Sequence, residues 1–122
     1  MIFTAIGSEN TAIDKKELQE EIFSALDKIG NRKKVLAIPP DISRYHSGAG
    51  DITGLVYDYF KDKLTDILPA TGTHRPMTGQ EIGKMYPGIP ESLFRVHKWK
   101  KDLVTLGEVP AEFINEVSAQ AR

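Results

Sequence analysis

The chain has 122 residues, 40% of them hydrophobic, which is enough for one compact domain with a core and too few for two. Its 16 Lys and Arg nearly balance 17 Asp and Glu, giving a net charge of −1, so no field of one sign exists to draw in nucleic acid or an anionic membrane surface. There is no Cys, which excludes disulfides, a thiolate nucleophile and thiolate metal ligation, and suits a reducing cytosol.

The opening stretch from Met1 to Ile6 is short and lacks the basic lead-in of a signal peptide, and no later stretch approaches the roughly 20 apolar residues of a membrane span. A cytoplasmic protein is the expectation. From Asp14 to Ile29 the residues Leu18, Ile22, Leu26 and Ile29 recur on one helical face. Asp14 and Glu17 have capping-box spacing, and Gly30 is a terminator. The run Val35-Leu36-Ala37-Ile38 predicts a strand covered on both faces, ended by Pro39-Pro40 because proline lacks a ladder donor.

A second amphipathic helix is predicted from about Asp51 to Lys63, with Ile52, Leu55, Val56, Tyr59 and Phe60 on its apolar face. Ile67-Leu68 gives a second short strand. Thr78 and Glu81 form a capping-box pair for a short helix to about Met85. Past Pro87-Gly88-Ile89-Pro90 the pattern predicts a short helical piece near Phe94, a strand over Leu103–Leu106 and a last helix opened by Pro110 and containing Phe113, Ile114 and Val117. Lys98-Trp99-Lys100-Lys101 is too brief for a nucleic-acid groove and reads as a solvated turn.

The alternation of helices and strands predicts an α/β fold: one two-layer or three-layer domain over residues 1–122, with a short, mostly parallel sheet flanked by helices. Parallel strands put the loops that follow them at one edge, where such folds bind ligands.

Two polar loops stand at that edge. In Pro39-Pro40-Asp41-Ile42-Ser43-Arg44 a guanidinium can grip a carboxylate or phosphate in bidentate fashion, and Asp41 can orient it. The bland alternative is an Asp41–Arg44 pair that only staples the loop. In Gly72-Thr73-His74-Arg75 a glycine allows close backbone approach, and His74 is a candidate general acid/base because imidazole exchanges protons near neutral pH. Its bland alternative is a helix-entry histidine that satisfies loop backbone. His46, His74 and His97 are dispersed, so no metal site is expected, and His97 beside Trp99 reads as surface.

Asp41-Ile42-Ser43-Arg44 and Gly72-Thr73-His74-Arg75-Pro76-Met77-Thr78 together resemble the paired Asp-x-Thr-Arg and Gly-x-His-Arg motifs of the lactate racemase family, in its N-terminal domain. The resemblance runs from the first strand to about Val109. It implies a two-domain isomerase, a racemase or epimerase of 2-hydroxy acids that uses a nickel-pincer nucleotide. The cofactor's nickel takes a hydride from the α-carbon while a histidine removes the hydroxyl proton. On that resemblance His74 matches the proton-transferring histidine and is assigned, with Arg44, as catalytic. Asp41, Ser43, Arg44, Gly72, Thr73 and Arg75 are assigned to cofactor binding, with Arg75 and Thr78 bracing the loop.

Arg44 would meet either cofactor phosphate or substrate carboxylate. Ser43 replaces the usual threonine, keeping the hydroxyl and losing a methyl. The family's cofactor-bearing lysine, nickel-binding histidine and second catalytic histidine lie beyond Arg122. The expectation is therefore that the C-terminal domain is a needed partner and that this chain alone is inactive and holds no covalent cofactor. A rival expectation is a non-catalytic anion- or nucleotide-binding module that uses the same two loops. A third is a purely structural interaction domain.

Overall fold

The computed structural model describes residues 2–101 and 103–120. Helix α1 (Lys15–Ile29) starts where the Asp14 carboxylate accepts the backbone N–H of Lys16 (2.8 Å) and Glu17 (2.9 Å), while Glu17 reaches back to the N–H of Asp14. This reciprocal pair satisfies N–H groups that no helical turn can reach. Gly30, with φ of +82°, ends the helix. The apolar stripe of α1 is only partly buried, and Phe23, outside that stripe, packs on Tyr59 with ring centroids 5.3 Å apart.

Strand β1 (Val35–Ala37) runs parallel to β2 (Leu64–Ile67), with Val35, Leu36 and Ala37 facing Leu64, Asp66 and Ile67 across an irregularity between Val35 and Leu36. The second strand thus begins three residues earlier than the predicted Ile67-Leu68. Its polar residues are accommodated: Thr65 donates to the Val35 carbonyl, and Asp66 accepts from Arg95 Nε at 2.6 Å. On the other side of β2, Phe94 bridges to Ile67 in parallel sense and the Arg95 N–H donates to the Ile67 carbonyl at 2.8 Å. The sheet is parallel, as the alternation of elements predicts.

Coverage of β1 differs from expectation. Val35 and Ala37 pack against the core, but Leu36 and Ile38 are 53% and 62% exposed. Alternate residues of a strand point to opposite faces, so an unbroken apolar run does not by itself prove cover on both.

Helix α2 (Ala49–Phe60) begins two residues ahead of Asp51, directly after a 3₁₀ turn over Ile42–Ser47, and passes into a second 3₁₀ turn over Lys61–Lys63. Helix α3 (Gly79–Met85) opens on the Thr78–Glu81 capping box. The two helices meet at Gly50: a Cβ there would lie 2.1 Å from the Met85 carbonyl oxygen, so only glycine fits. Phe60, Leu64, Ile67, Met85, Tyr86 and Ile89 form the buried cluster, joining the end of α2, strand β2 and the end of α3. Each such side chain contributes about 1.5–3 kcal/mol of burial.

A 3₁₀ turn over Glu91–Leu93 supplies the short helical piece before Phe94, and Lys98 to Lys101 form the solvated turn. Helix α4 (Ala111–Gln120) follows Pro110. The strand expected over Leu103–Leu106 does not form: these residues belong to no regular element, and Leu103, Val104 and Leu106 are 71%, 81% and 100% exposed. An apolar run becomes a strand only beside an edge that takes its hydrogen bonds, and among the described residues none lies against it.

Candidate functional site

Both polar loops leave the same edge of the sheet. The parallel pairing of β1 with β2 continues past the strands: the Leu68 N–H donates to the Ala37 carbonyl (2.9 Å) and the Ala70 N–H to the Pro39 carbonyl (2.7 Å). These bonds bring Asp41 beside the turn that carries His74, although 33 positions separate the two.

Asp41 is 5% exposed and caps the 3₁₀ turn that follows it. Its Oδ1 accepts from the Ser43 N–H (3.0 Å) and hydroxyl (2.5 Å), and its Oδ2 lies 2.7 Å from His74 Nδ1. A buried carboxylate is tolerated when donors replace water. Here the Ser43 hydroxyl is the strongest, and it, His74 and the Ser43 N–H hold the carboxyl below its usual range against the opposing effect of burial. Because the ionised Asp41 can only accept, His74 donates from Nδ1, and in the neutral ring this leaves Nε2 with a lone pair. The His74 side chain is 62% exposed.

The expected Asp41–Arg44 pairing is not what the structure contains. The Asp41 oxygens are taken by Ser43 and His74, and Arg44, exposed, has no ion pair among the described residues. Its backbone N–H donates to the Asp41 carbonyl at 3.0 Å, so the guanidinium departs from a fixed point beside the Asp41–His74 pair. The staple in this site is Asp41–His74, between the loops instead of within one.

The second loop is held at its base. The His74 N–H donates to the carbonyl of buried Thr71 at 2.9 Å, and Gly72 adopts φ of +56° in the turn between them, a conformation that glycine reaches without strain. Thr73 is exposed. Arg75 makes a bidentate pair with Glu81 (2.6 and 2.9 Å). Glu81 also completes the capping box with Thr78, so one carboxylate joins the loop to helix α3. The Arg75 guanidinium, followed by the Thr78 N–H, pulls the Glu81 carboxyl from 4.5 to about 2.

Three contributors carried no sequence signal: Thr71, Tyr86 and the Arg75–Glu81 bond. Tyr86 is 1% exposed, and its hydroxyl donates to the Pro40 carbonyl just before Asp41. Glu81 was legible as a cap through its spacing from Thr78, but nothing marked it as the partner of Arg75.

His97 also departs from its surface assignment. It is half-buried, its Nδ1 is buried with no hydrogen-bond partner among the described residues, and it lines a cavity of about 140 Å³ with Thr71, Met77, Glu91 and Arg95. Neither Asp41 nor His74 lines that cavity.

A carboxylate behind Nδ1 and an open Nε2 make a proton acceptor of fixed direction. An exposed guanidinium on the first loop, that of Arg44, is chemically suited to an anionic group. The family model described as lactate racemase N-terminal domain matches residues 4–121, so the chain belongs to that family. No curated protein and no solved structure matches it.

Proposed function

We propose that this chain is the acid–base half of a lactate-racemase-like enzyme, a cytosolic isomerase that inverts the α-carbon of a 2-hydroxy acid. The observation that carries the proposal is the 2.7 Å contact between Asp41 Oδ2 and His74 Nδ1. It fixes which ring nitrogen is free, and a base of fixed tautomer and direction is what removal of a hydroxyl proton requires.

In this reading Nε2 of His74 takes the proton from the substrate hydroxyl and returns it after inversion. Asp41 holds the ring and stabilises the imidazolium that forms while the proton is on it. Arg44 binds an anionic group, substrate carboxylate or cofactor phosphate. The exposed position of His74 suits a cleft whose other wall is a C-terminal domain, since ligand sites favour domain interfaces.

The nickel-pincer nucleotide that the family implies fits the donors present. The Ser43 hydroxyl is committed to Asp41, but Arg44 has a guanidinium without an ion pair among the described residues, and the Thr73 hydroxyl and the backbone at Gly72 lie in the same two loops. These groups suit phosphate. Arg75 is committed to Glu81 and serves the cofactor by holding the loop in shape. The family resemblance assigns the protein ligand to nickel to the partner domain. When bound, the cofactor supplies the hydride acceptor.

The test is His74→Ala in the enzyme containing both domains. Turnover is expected to fall by roughly 10²–10⁴ while cofactor retention, read from nickel content, changes little. Unchanged turnover would remove His74 from the mechanism.

A further inference from the structure

Helix α3 is tied to both loops, one at each end. At its start Glu81 caps the helix and grips Arg75, the residue after His74. At its end Tyr86, the C-cap, donates its hydroxyl to the carbonyl of Pro40, the residue before Asp41. A helix of seven residues is about 10 Å long, so this short rod braces the base of one loop against the base of the other.

The Tyr86 ring is inside the core, with its centroid 5.2 Å from that of Phe94. Burial, and after it the Asp41 carboxylate, push its hydroxyl up to about 12. At neutral pH the group therefore stays a donor and exchanges no proton with substrate. Its contribution is direction. The Pro39 carbonyl is held by the Ala70 N–H and the Pro40 carbonyl by Tyr86, and the two proline rings fix φ at both residues. The backbone just ahead of Asp41 is thus restrained at both carbonyls and both φ angles, and its carboxylate reaches His74 from a braced stem.

We propose that Tyr86 is a positioning residue: by holding the Pro40 carbonyl it keeps Asp41 Oδ2 on His74 Nδ1, and so keeps Nε2 as the free base. The inference rests on the reading of His74 as the proton carrier and adds to it a residue that touches neither substrate nor cofactor.

The test uses this chain with ¹⁵N-labelled histidine and reads the tautomer of each ring from long-range ¹H–¹⁵N spectra under conditions where the rings are neutral. The wild-type chain is expected to show His74 protonated at Nδ1. In Tyr86→Phe the ratio is expected to move by roughly 2- to 10-fold toward Nε2–H, as loss of one hydrogen bond gives, with His46 and His97 unchanged and unfolding still cooperative. Phe94→Leu, which loosens the same core without touching Pro40, is expected to lower stability and leave the tautomer alone.

An unmoved tautomer in Tyr86→Phe overturns the positioning role, and so does an equal shift in Phe94→Leu. A wild-type His74 protonated at Nε2 would instead sink the acid–base reading, and this inference with it. If Tyr86→Phe does not fold, the wild-type chain labelled with ¹³C at tyrosine Cζ answers in mixed light and heavy water. A Tyr86 line split by a slowly exchanging hydroxyl is expected, and a single averaged line overturns the proposal.

Discussion

Arg44 and Arg75 occupy equivalent places in the sequence, each in a polar loop that leaves a parallel strand, yet they are spent differently. Arg75 is closed on Glu81 by two short bonds, and Arg44 has no ion pair among the described residues. The two partners that meet between the loops are also unequal: Asp41 is buried and His74 is open to solvent. One loop therefore supplies a rigid carboxylate and an uncommitted cation, the other an accessible imidazole on a stapled base. On the proposed reading, such a site would bind and transfer protons without rebuilding itself, because the groups that brace it are not the groups that react.

The sharpest way to break that division is at Asp41. Asp41→Asn keeps the shape but turns one acceptor into an amide that can donate, so His74 no longer needs its proton on Nδ1. In the two-domain enzyme turnover is expected to fall by roughly 10²–10⁴ with substrate binding nearly intact, as a mis-set tautomer does. Steady-state kinetics of the variant decides it: a rate near wild type would mean that the carboxylate is only structural.

A smaller effect separates the two arginines. Arg44→Gln should weaken the anion that it grips by about 10- to 100-fold, the range for loss of a charged hydrogen bond, and leave the thermal midpoint of the chain in place. Arg75→Gln should do the reverse, with little change in anion affinity but faster amide exchange over residues 72–78. Equal behaviour of the two variants in titration and exchange would erase the distinction drawn here.

The smallest effect is a pH response of the same loop. Glu81 has a folded pKa near 2 against an ordinary value of 4.5, so its bond to Arg75 is fully present above about 4.5 and is lost as pH falls toward 2. Asp41 is lowered in the same sense by Ser43 and His74, so acid also loosens the contact between the loops. Amide exchange over residues 72–78 should rise on acidification through this window in the wild-type chain, and Arg75→Gln should flatten the part due to Glu81.

Much of this fold was legible because its signals are local. The Asp14–Glu17 and Thr78–Glu81 capping boxes are reciprocal bonds between residues three apart, and the sequence shows the whole motif at once. The position of the two loops followed from strand order. What could not be read depends on distant partners. Asp41 has Arg44 three residues away and chooses His74, because parallel strand pairing sets the carboxylate against the second loop while the turn leads the arginine outward. Tyr86 reaches Pro40 across 46 positions. Leu36 points into solvent and Leu103–Leu106 form no strand for the same reason: hydrophobicity marks a residue as able to be covered, and only the rest of the chain determines whether it is.

Gly50 shows where such an arrangement is vulnerable. It belongs to neither loop and has no side chain to contribute, but it lets helix α2 touch the backbone at the end of α3. Even a methyl group there would displace the rod that carries Tyr86 and Glu81, and the disturbance would be felt at both loops together. Loss of activity on changing this position would therefore imitate damage to the reacting groups, and a search for inactivating substitutions would find a silent-looking glycine alongside the histidine it serves.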